Sequence, residues 1–278
     1  MNRNASMPLS DGMTVVDGHV HVYPHVPVEA ALDIGFRNLE QLGGGRCGCT
    51  PMLLVADPPG VHLAARLCEA ASSDKPIVPE WAIRSTSEAY SFLALRGDQR
   101  LVLVLGQQLA TAEKLEVLSF GAAEVVLNGA SIGETLAAIE RSGGTGIVPW
   151  GVGKWSGRRG RLVERVLVEK RGDRFFLGDN GGRPKAWPVP QFALAQKLGI
   201  RVLRGTDPLP LTGDERRIAS FGFGLAYAVD TEHPLESLLK ILNDPRTQVL
   251  PLGRPVSVAQ AIANQFRLRF APVSADSA

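Results

Sequence analysis

Thr14-Val15-Val16-Asp17-Gly18-His19-Val20-His21 is the stretch on which the reading of this chain turns. Its β-branched run predicts a strand, and residues two apart on an extended backbone face the same way. His19 and His21 therefore leave the end of that strand side by side, where two neutral imidazoles can share one divalent ion. Asp17 either hydrogen-bonds the strand end or orients a histidine nitrogen from behind.

The rest of the chain is that of a folded domain. It has 278 residues, 45% hydrophobic and 21% charged, with a formal net charge of +2. That length suffices for a large core. The charge is too small for the whole-surface attraction that non-specific nucleic-acid binding needs. The expected partner is a small-molecule substrate, with no nucleic acid and no membrane. Residues 1–12 are polar, predicted flexible, and lack the basic and then apolar order of a signal peptide. No long uncharged apolar run predicts a membrane span, so a cytoplasmic location is expected. The three cysteines, Cys47, Cys49 and Cys68, fit a reducing compartment better than a disulfide framework. Cys47-Gly48-Cys49 lacks the second Cys/His pair of a structural zinc site.

Short β-rich runs alternate with helical periodicity. Strands are expected at 14–22, 51–56, 80–85, 100–105, 124–127, 146–150, 174–177 and 201–203. The intervening helices read as 28–42, 61–71, 87–95, 111–120, 132–142, 161–171, 191–198 and 214–226. Eight such units predict an α/β protein with a (β/α)8 TIM-like barrel. Two further helices, 234–242 and 256–270, form a C-terminal helical extension within a single domain spanning 13–271. Residues 272–278 read as a flexible tail. Residues 81–95 fit one continuous helix nearly as well as a strand followed by a helix.

Placed on that order, Asp17-Gly18-His19-Val20-His21 resembles the Asp-x-His-x-His motif that ends the first barrel strand of the amidohydrolase superfamily of metal-dependent hydrolases. Gly205-Thr206-Asp207-Pro208, at the end of the last expected barrel strand, resembles that family's aspartate element. The resemblance implies a divalent metal ion, Zn, Mn or Mg, held by His19, His21 and Asp207. It also implies that Asp207 is the catalytic base that takes a proton from activated water. The chain departs from the family where further ligands are usual. The ends of the expected fourth, fifth and sixth strands read Gly106-Gln107-Gln108, Asn128-Gly129 and Gly151-Val152-Gly153-Lys154, and none supplies an imidazole.

Other polar groups fall on the same presumed face. The segment from Val148 to Arg161 combines glycines, two tryptophans and several cations ahead of a helix, so Lys154 and Arg158 are candidate contacts for a carboxylate or phosphate. It is no Walker A loop, because Trp155 stands where Ser or Thr is required. Asp179, in Gly178-Asp179-Asn180-Gly181-Gly182, reads first as a turn residue and second as a substrate or metal contact. Asn128, with Gln107 and Gln108, is a candidate for orienting a polar substrate or for capping the next helices. There is no Gly-x-Ser-x-Gly elbow. The leading expectation is a hydrolase acting on a small polar, anionic metabolite. The alternatives are a catalytically degenerate barrel that binds a metabolite or protein, and a phosphoesterase of the polymerase and histidinol phosphatase type.

Overall fold

The computed structural model describes residues 12–45, 48–72, 80–122, 126, 128–170, 172 and 174–270. Its centre is an 11-stranded mixed sheet that curls into a nearly closed barrel. In chain order the strands are β1 (Thr14–Val20), β2 (Thr50–Asp57), β3 (Ala82–Ser85), β4 (Ser91–Arg96), β5 (Gln99–Ala110), β6 (Glu116–Phe120), β7 (Thr145–Pro149), β8 (Phe175–Asn180), β9 (Val202–Gly205), β10 (Phe221–Leu225) and β11 (Val249–Gly253). The helices are α1 (Val28–Leu42), α2 (Leu63–Ser72), α3 (Ile132–Arg141), α4 (Gly157–Glu169), α5 (Pro190–Leu198), α6 (Pro234–Asn243) and α7 (Val258–Phe270). Among the described residues no helix is long and apolar enough to cross a membrane.

The sheet order is β11-β10-β1-β2-β5-β6-β7-β8-β9, with β3 and β4 attached as a hairpin to the side of β5. Pairing is parallel from β1 through β2 to β5 and again from β7 through β8 to β9. β6 runs antiparallel to both its neighbours. The uniform eightfold repeat expected from the sequence is therefore interrupted, and three expected helices are the cause. Residues 87–95 contain β4, and residues 111–120 contain a tight turn followed by β6, whose Val117, Leu118, Ser119 and Phe120 are all buried. A helix buries one stripe, whereas a central strand buries both faces, and a short apolar run does not distinguish the two. Residues 214–226 form a 3-10 turn, Asp214–Arg217, and then β10, which pairs with the unforeseen β11. On its other side β10 pairs with β1, and Gly222 makes that approach close, since a Cβ there would stand 2.2 Å from the Val16 carbonyl oxygen. The expected strand 124–127, Cys47 and the tail at 272–278 lie wholly or mostly outside the described residues.

Alternation sorts the strand residues into two cores. Val16, Met52, Leu54, Val104, Leu118, Ile147 and Phe176 fill the barrel interior, and Leu235, Leu238 and Leu242 of α6 pack onto the same cluster. Arg201, just before β9, ties α6 down by donating to the carbonyls of Leu242, Asp244 and Thr247 at 2.5, 2.6 and 2.9 Å. α6 thus plugs the N-terminal end of the barrel. Outward-facing residues form two further clusters, one under α1 and α2 and one under α3, α4 and α5. α1 shows why such helices form: Val28, Ala31, Leu32, Gly35, Phe36 and Leu39 recur at helical spacing on its buried face.

Asp17 closes the barrel. Its Oδ1 accepts from the backbone N–H of His19 at 3.1 Å and Thr206 at 2.8 Å, and its Oδ2 accepts from Ala219 N–H at 2.8 Å. One carboxylate thereby joins β1, the end of β9 and the lead into β10. The strands approach too closely for side chains at this seam, where Cβ atoms on Gly18 and Gly205 would meet Arg204 O at 2.8 Å and His19 N at 2.3 Å. With one end plugged and the seam tied, the polar opening lies at the C-terminal ends of β1, β2, β8 and β9.

Candidate metal centre

A register shift between Asp17 and Val20 reverses the alternation of β1: Val16 faces the barrel interior, but Val20 points outward into the core beneath α1 and α2, and His19 and His21 on either side of it enter the opening. Asp207 reaches the same point from just beyond β9, its backbone N–H bonded to His19 O at 2.8 Å. It holds φ at +50°, a left-handed conformation that is uncommon for a non-glycine residue and costs about 1 kcal/mol or more. Surrounding contacts hold it there and aim the carboxylate inward.

The three ligand atoms converge. His19 Nε2 and His21 Nε2 are 2.9 Å apart, and Asp207 Oδ1 stands 3.6 and 3.5 Å from them. Ligands at about 2.1 Å around a tetrahedral ion lie about 3.4 Å apart, so this triangle matches one face of such a site with only small ring movements. The tautomers fit too. His21 Nδ1 lies 2.7 Å from Ala56 O, and a carbonyl only accepts, so Nδ1 carries the proton and Nε2 keeps its lone pair. His19 Nδ1 is buried with no hydrogen-bond partner among the described residues. Burial first, and the neighbouring His21 second, hold the pKa of His19 well below the usual histidine value. A neutral imidazole is the ligating form.

Asn180, at the end of β8, holds the other side of Asp207. Its Nδ2 donates to Asp207 Oδ2 at 2.8 Å and to Trp150 O at 2.7 Å, leaving Oδ1 of the aspartate turned to the histidines. Burial raises the Asp207 pKa, against the attraction of His21, Lys154 and Arg217. The Asp207 side chain is 24% exposed while both imidazoles are nearly sealed, so access to the centre is over the carboxylate. Burial also raises the Tyr23 hydroxyl, assisted by the nearby Asp207 charge. Asp17 lies behind the centre, not in it, and burial lifts its pKa to about 7 against its hydrogen bonds.

The remaining candidates divide. Lys154 turns toward the opening, where its charge is felt by His19 and Asp207, but its ammonium pairs with Glu116 at the start of β6. Arg158 is exposed in the first turn of α4. Asn128 is a local clamp, its Oδ1 accepting from Ala110 N–H at 2.7 Å. Asp179 faces away from the barrel interior and is engaged by Arg183 at 2.6 and 2.8 Å. Gln108 lies against His19, whereas Gln107 faces a groove between α2 and the end of β5.

Two residues of the opening were not singled out from the sequence, Asn180 and Glu116. Asn180 was one position from the candidate chosen, and strand parity is the signal that separates the two: Phe176, inside the barrel, shares its face with Asn180. Glu116 was hidden by the helix expected at 111–120. A second acidic grouping, Glu88, His233 and Glu236, lies at the start of α6. There Glu88 is already bonded to the N–H groups of Leu235 and Glu236 at 2.8 and 2.7 Å, so it caps the helix.

No protein-family model and no characterised protein matches the chain by sequence. The crystal structure of PsfC from Pseudomonas syringae PB-5123 is similar in fold, with a TM-score of 0.55 and 14% identity over 93% of this chain and 99% of PsfC. At that identity the likeness extends to the fold alone.

Proposed function

We propose that the chain is a metal-dependent hydrolase of the amidohydrolase type, with one divalent ion held by His19, His21 and Asp207. The observation that carries the reading is the convergence of two oriented imidazoles and a strained carboxylate at the open end of the barrel. A (β/α)8 barrel in which antiparallel β6 replaces a regular βα unit accommodates this arrangement, since its sites lie at the C-terminal strand ends. The bound ion supplies Lewis acidity, lowering the pKa of water to about 7 and polarising a carbonyl or phosphoryl oxygen. Asn180 fixes Asp207 Oδ2, so that Oδ1 is positioned to hold or pass a proton. Ala56 keeps the proton of His21 on Nδ1. The reacting end of the substrate is small and polar, and an anionic group on it gains Lys154 by displacing Glu116.

A binding barrel without turnover is the second reading, favoured by one contact. The 2.9 Å Nε2···Nε2 separation is also a hydrogen bond between the two histidines. Metal content of purified wild type, His19→Ala, His21→Ala and Asp207→Ala proteins decides between them. The hydrolase reading expects about one equivalent in wild type after reconstitution with Zn²⁺ or Mn²⁺ and loss in all three variants. Wild type that takes up neither ion refutes it.

A further inference from the structure

A cavity of about 590 Å³ lies between α7 and the loops that follow β7 and β8, at the same end of the barrel as the candidate metal centre. We propose that it binds the apolar part of the substrate, an alkyl or aryl group, while the polar, cleavable end lies at the histidines. This inference rests on the hydrolase reading and adds the substrate class to it. Its volume falls in the range of about 300–1,000 Å³ typical of small-molecule sites.

The walls are apolar and open to solvent. Val258, Ile262 and Phe266 recur every fourth residue along one side of α7 and are 54%, 53% and 59% exposed. Trp187 and Val152 face them, 48% and 40% exposed. A contiguous apolar surface of this kind marks a binding site more often than a scatter of single exposed residues does. Arg269 supplies the one cation lining the cavity among the described residues.

The wall is also built to hold its shape. Trp187 N–H donates to Pro184 O at 2.9 Å, and Trp187 O accepts from Arg183 Nη1 at 2.8 Å. Arg183 is in turn locked in its two-point pair with buried Asp179. Asp179 thus supports the cavity, which gives this buried carboxylate a role away from the metal centre. The Trp187 ring packs edge-on against Trp150, centroids 6.0 Å apart.

A shared wall with the centre is the argument for this occupant. Trp187, which lines the cavity, packs on Trp150, and Trp150 O accepts from the same Asn180 amide that holds Asp207, so two residues stand between the cavity lining and that ligand. Two positions further on, Val152 lines the cavity, while Lys154 turns to the opening and Glu116. The start of α7 is fastened to the loop after β8 by Val256 N–H donating to Gly181 O at 2.9 Å. A molecule with a polar head and an apolar tail fits across this wall.

The test uses full-length protein reconstituted with Zn²⁺, titrated calorimetrically with acetohydroxamate and octanohydroxamate, which share a metal-binding head. Each buried methylene is worth roughly fourfold in affinity. The longer compound is expected to bind at least tenfold more tightly to wild type, with the gain lost in Ile262→Asp and Trp187→Ala and acetohydroxamate unaffected. Equal affinities in wild type, or a gain that survives Ile262→Asp, overturn the proposal. Anilinonaphthalene sulfonate, which needs no metal, separates the two readings. If its fluorescence enhancement persists in His19→Ala and vanishes in Ile262→Asp, the cavity stands even where metal binding fails. A dimer in sedimentation that Ile262→Asp dissociates, without probe binding in wild type, assigns the face to a second copy and overturns the proposal.

Discussion

Removing the Asp17 carboxylate tests the claim that this residue closes the barrel and is not a metal ligand. Three backbone N–H groups, of His19, Thr206 and Ala219, converge on it in a site with no solvent access. Asp17→Ala leaves all three without an acceptor, and each buried unmatched donor costs about 1–3 kcal/mol. Allowing for local relaxation, the total is about 4 kcal/mol. Asp17→Asn retains one oxygen for His19 and Thr206 but turns an NH₂ toward Ala219 N–H, a donor against a donor, for a loss of about 2 kcal/mol. Urea unfolding followed by circular dichroism reads this directly. With a slope of about 3 kcal/mol per M, Asp17→Ala lowers the midpoint by about 1.3 M. The native Asp17→Asn protein is expected to keep its metal. An Asp17→Ala midpoint within about 0.2 M of wild type refutes the account of closure. Metal loss in a fully folded Asp17→Asn protein returns Asp17 to the ligand set.

Asn180→Ala frees Asp207 Oδ2, and loss of such a supporting hydrogen bond is expected to weaken metal binding about 10–100-fold with little change in folding, measured by competition with a chromophoric chelator. Gly222→Ala places a methyl group 2.2 Å from a main-chain oxygen of β1 and is expected to destabilise by about 2 kcal/mol in the same urea assay. Ser131→Ala removes the capping box that opens α3, at about 1 kcal/mol near neutral pH. The hydrogen bonds of Ser131 hold the Glu134 pKa below the usual 4.5. A group depressed in this way stabilises the fold above its unfolded pKa and loses that contribution as pH falls. The gap between wild type and Ser131→Ala should therefore narrow in titrations below pH 4.5, and a gap independent of pH contradicts the pairing.

The histidine pair was legible because it depends only on period two along a single strand, whereas of the bonds of Asp17 only the local one at the strand end was, since Thr206 and Ala219 lie 189 and 202 residues away. What was not legible depends on partners far along the chain. Leu115, Leu118 and Phe120 fit a helical stripe as well as a strand, and only pairing with β5 and β7, which buries both faces, settles the matter. Phe221-Gly222-Phe223-Gly224-Leu225 carries two glycines that argue against a strand interior by propensity alone. Their value is the close approach to β1, which no local pattern contains. The choice of Asp179 over Asn180 is an error of one residue in register, and in a strand that reverses the face. Lys154 was read as a free cation because Glu116, its partner, had been assigned to a different kind of element.

The charges at the opening make a last prediction about what the centre attracts. Asp207 and Glu116 contribute two negative charges and Lys154 one positive, around two imidazoles of which His19 is held neutral by burial. Arg217 is balanced by Asp214 at 3.2 Å. Counting both imidazoles as uncharged ligands, the side chains sum to −1, and a divalent ion brings the opening to +1. An anion such as phosphate is therefore repelled before the ion binds and drawn in afterwards. Glu116→Gln raises the loaded opening to +2 and releases Lys154. Because Lys154 and Glu116 are about a third exposed, solvent screening limits the gain to about 1 kcal/mol, or fivefold in affinity. Calorimetric titration of inorganic phosphate into Zn²⁺-loaded wild type and Glu116→Gln measures this. Phosphate that binds metal-free wild type equally well, or a variant with unchanged affinity, shows that the pair of Lys154 and Glu116 does not control entry of anions to the centre.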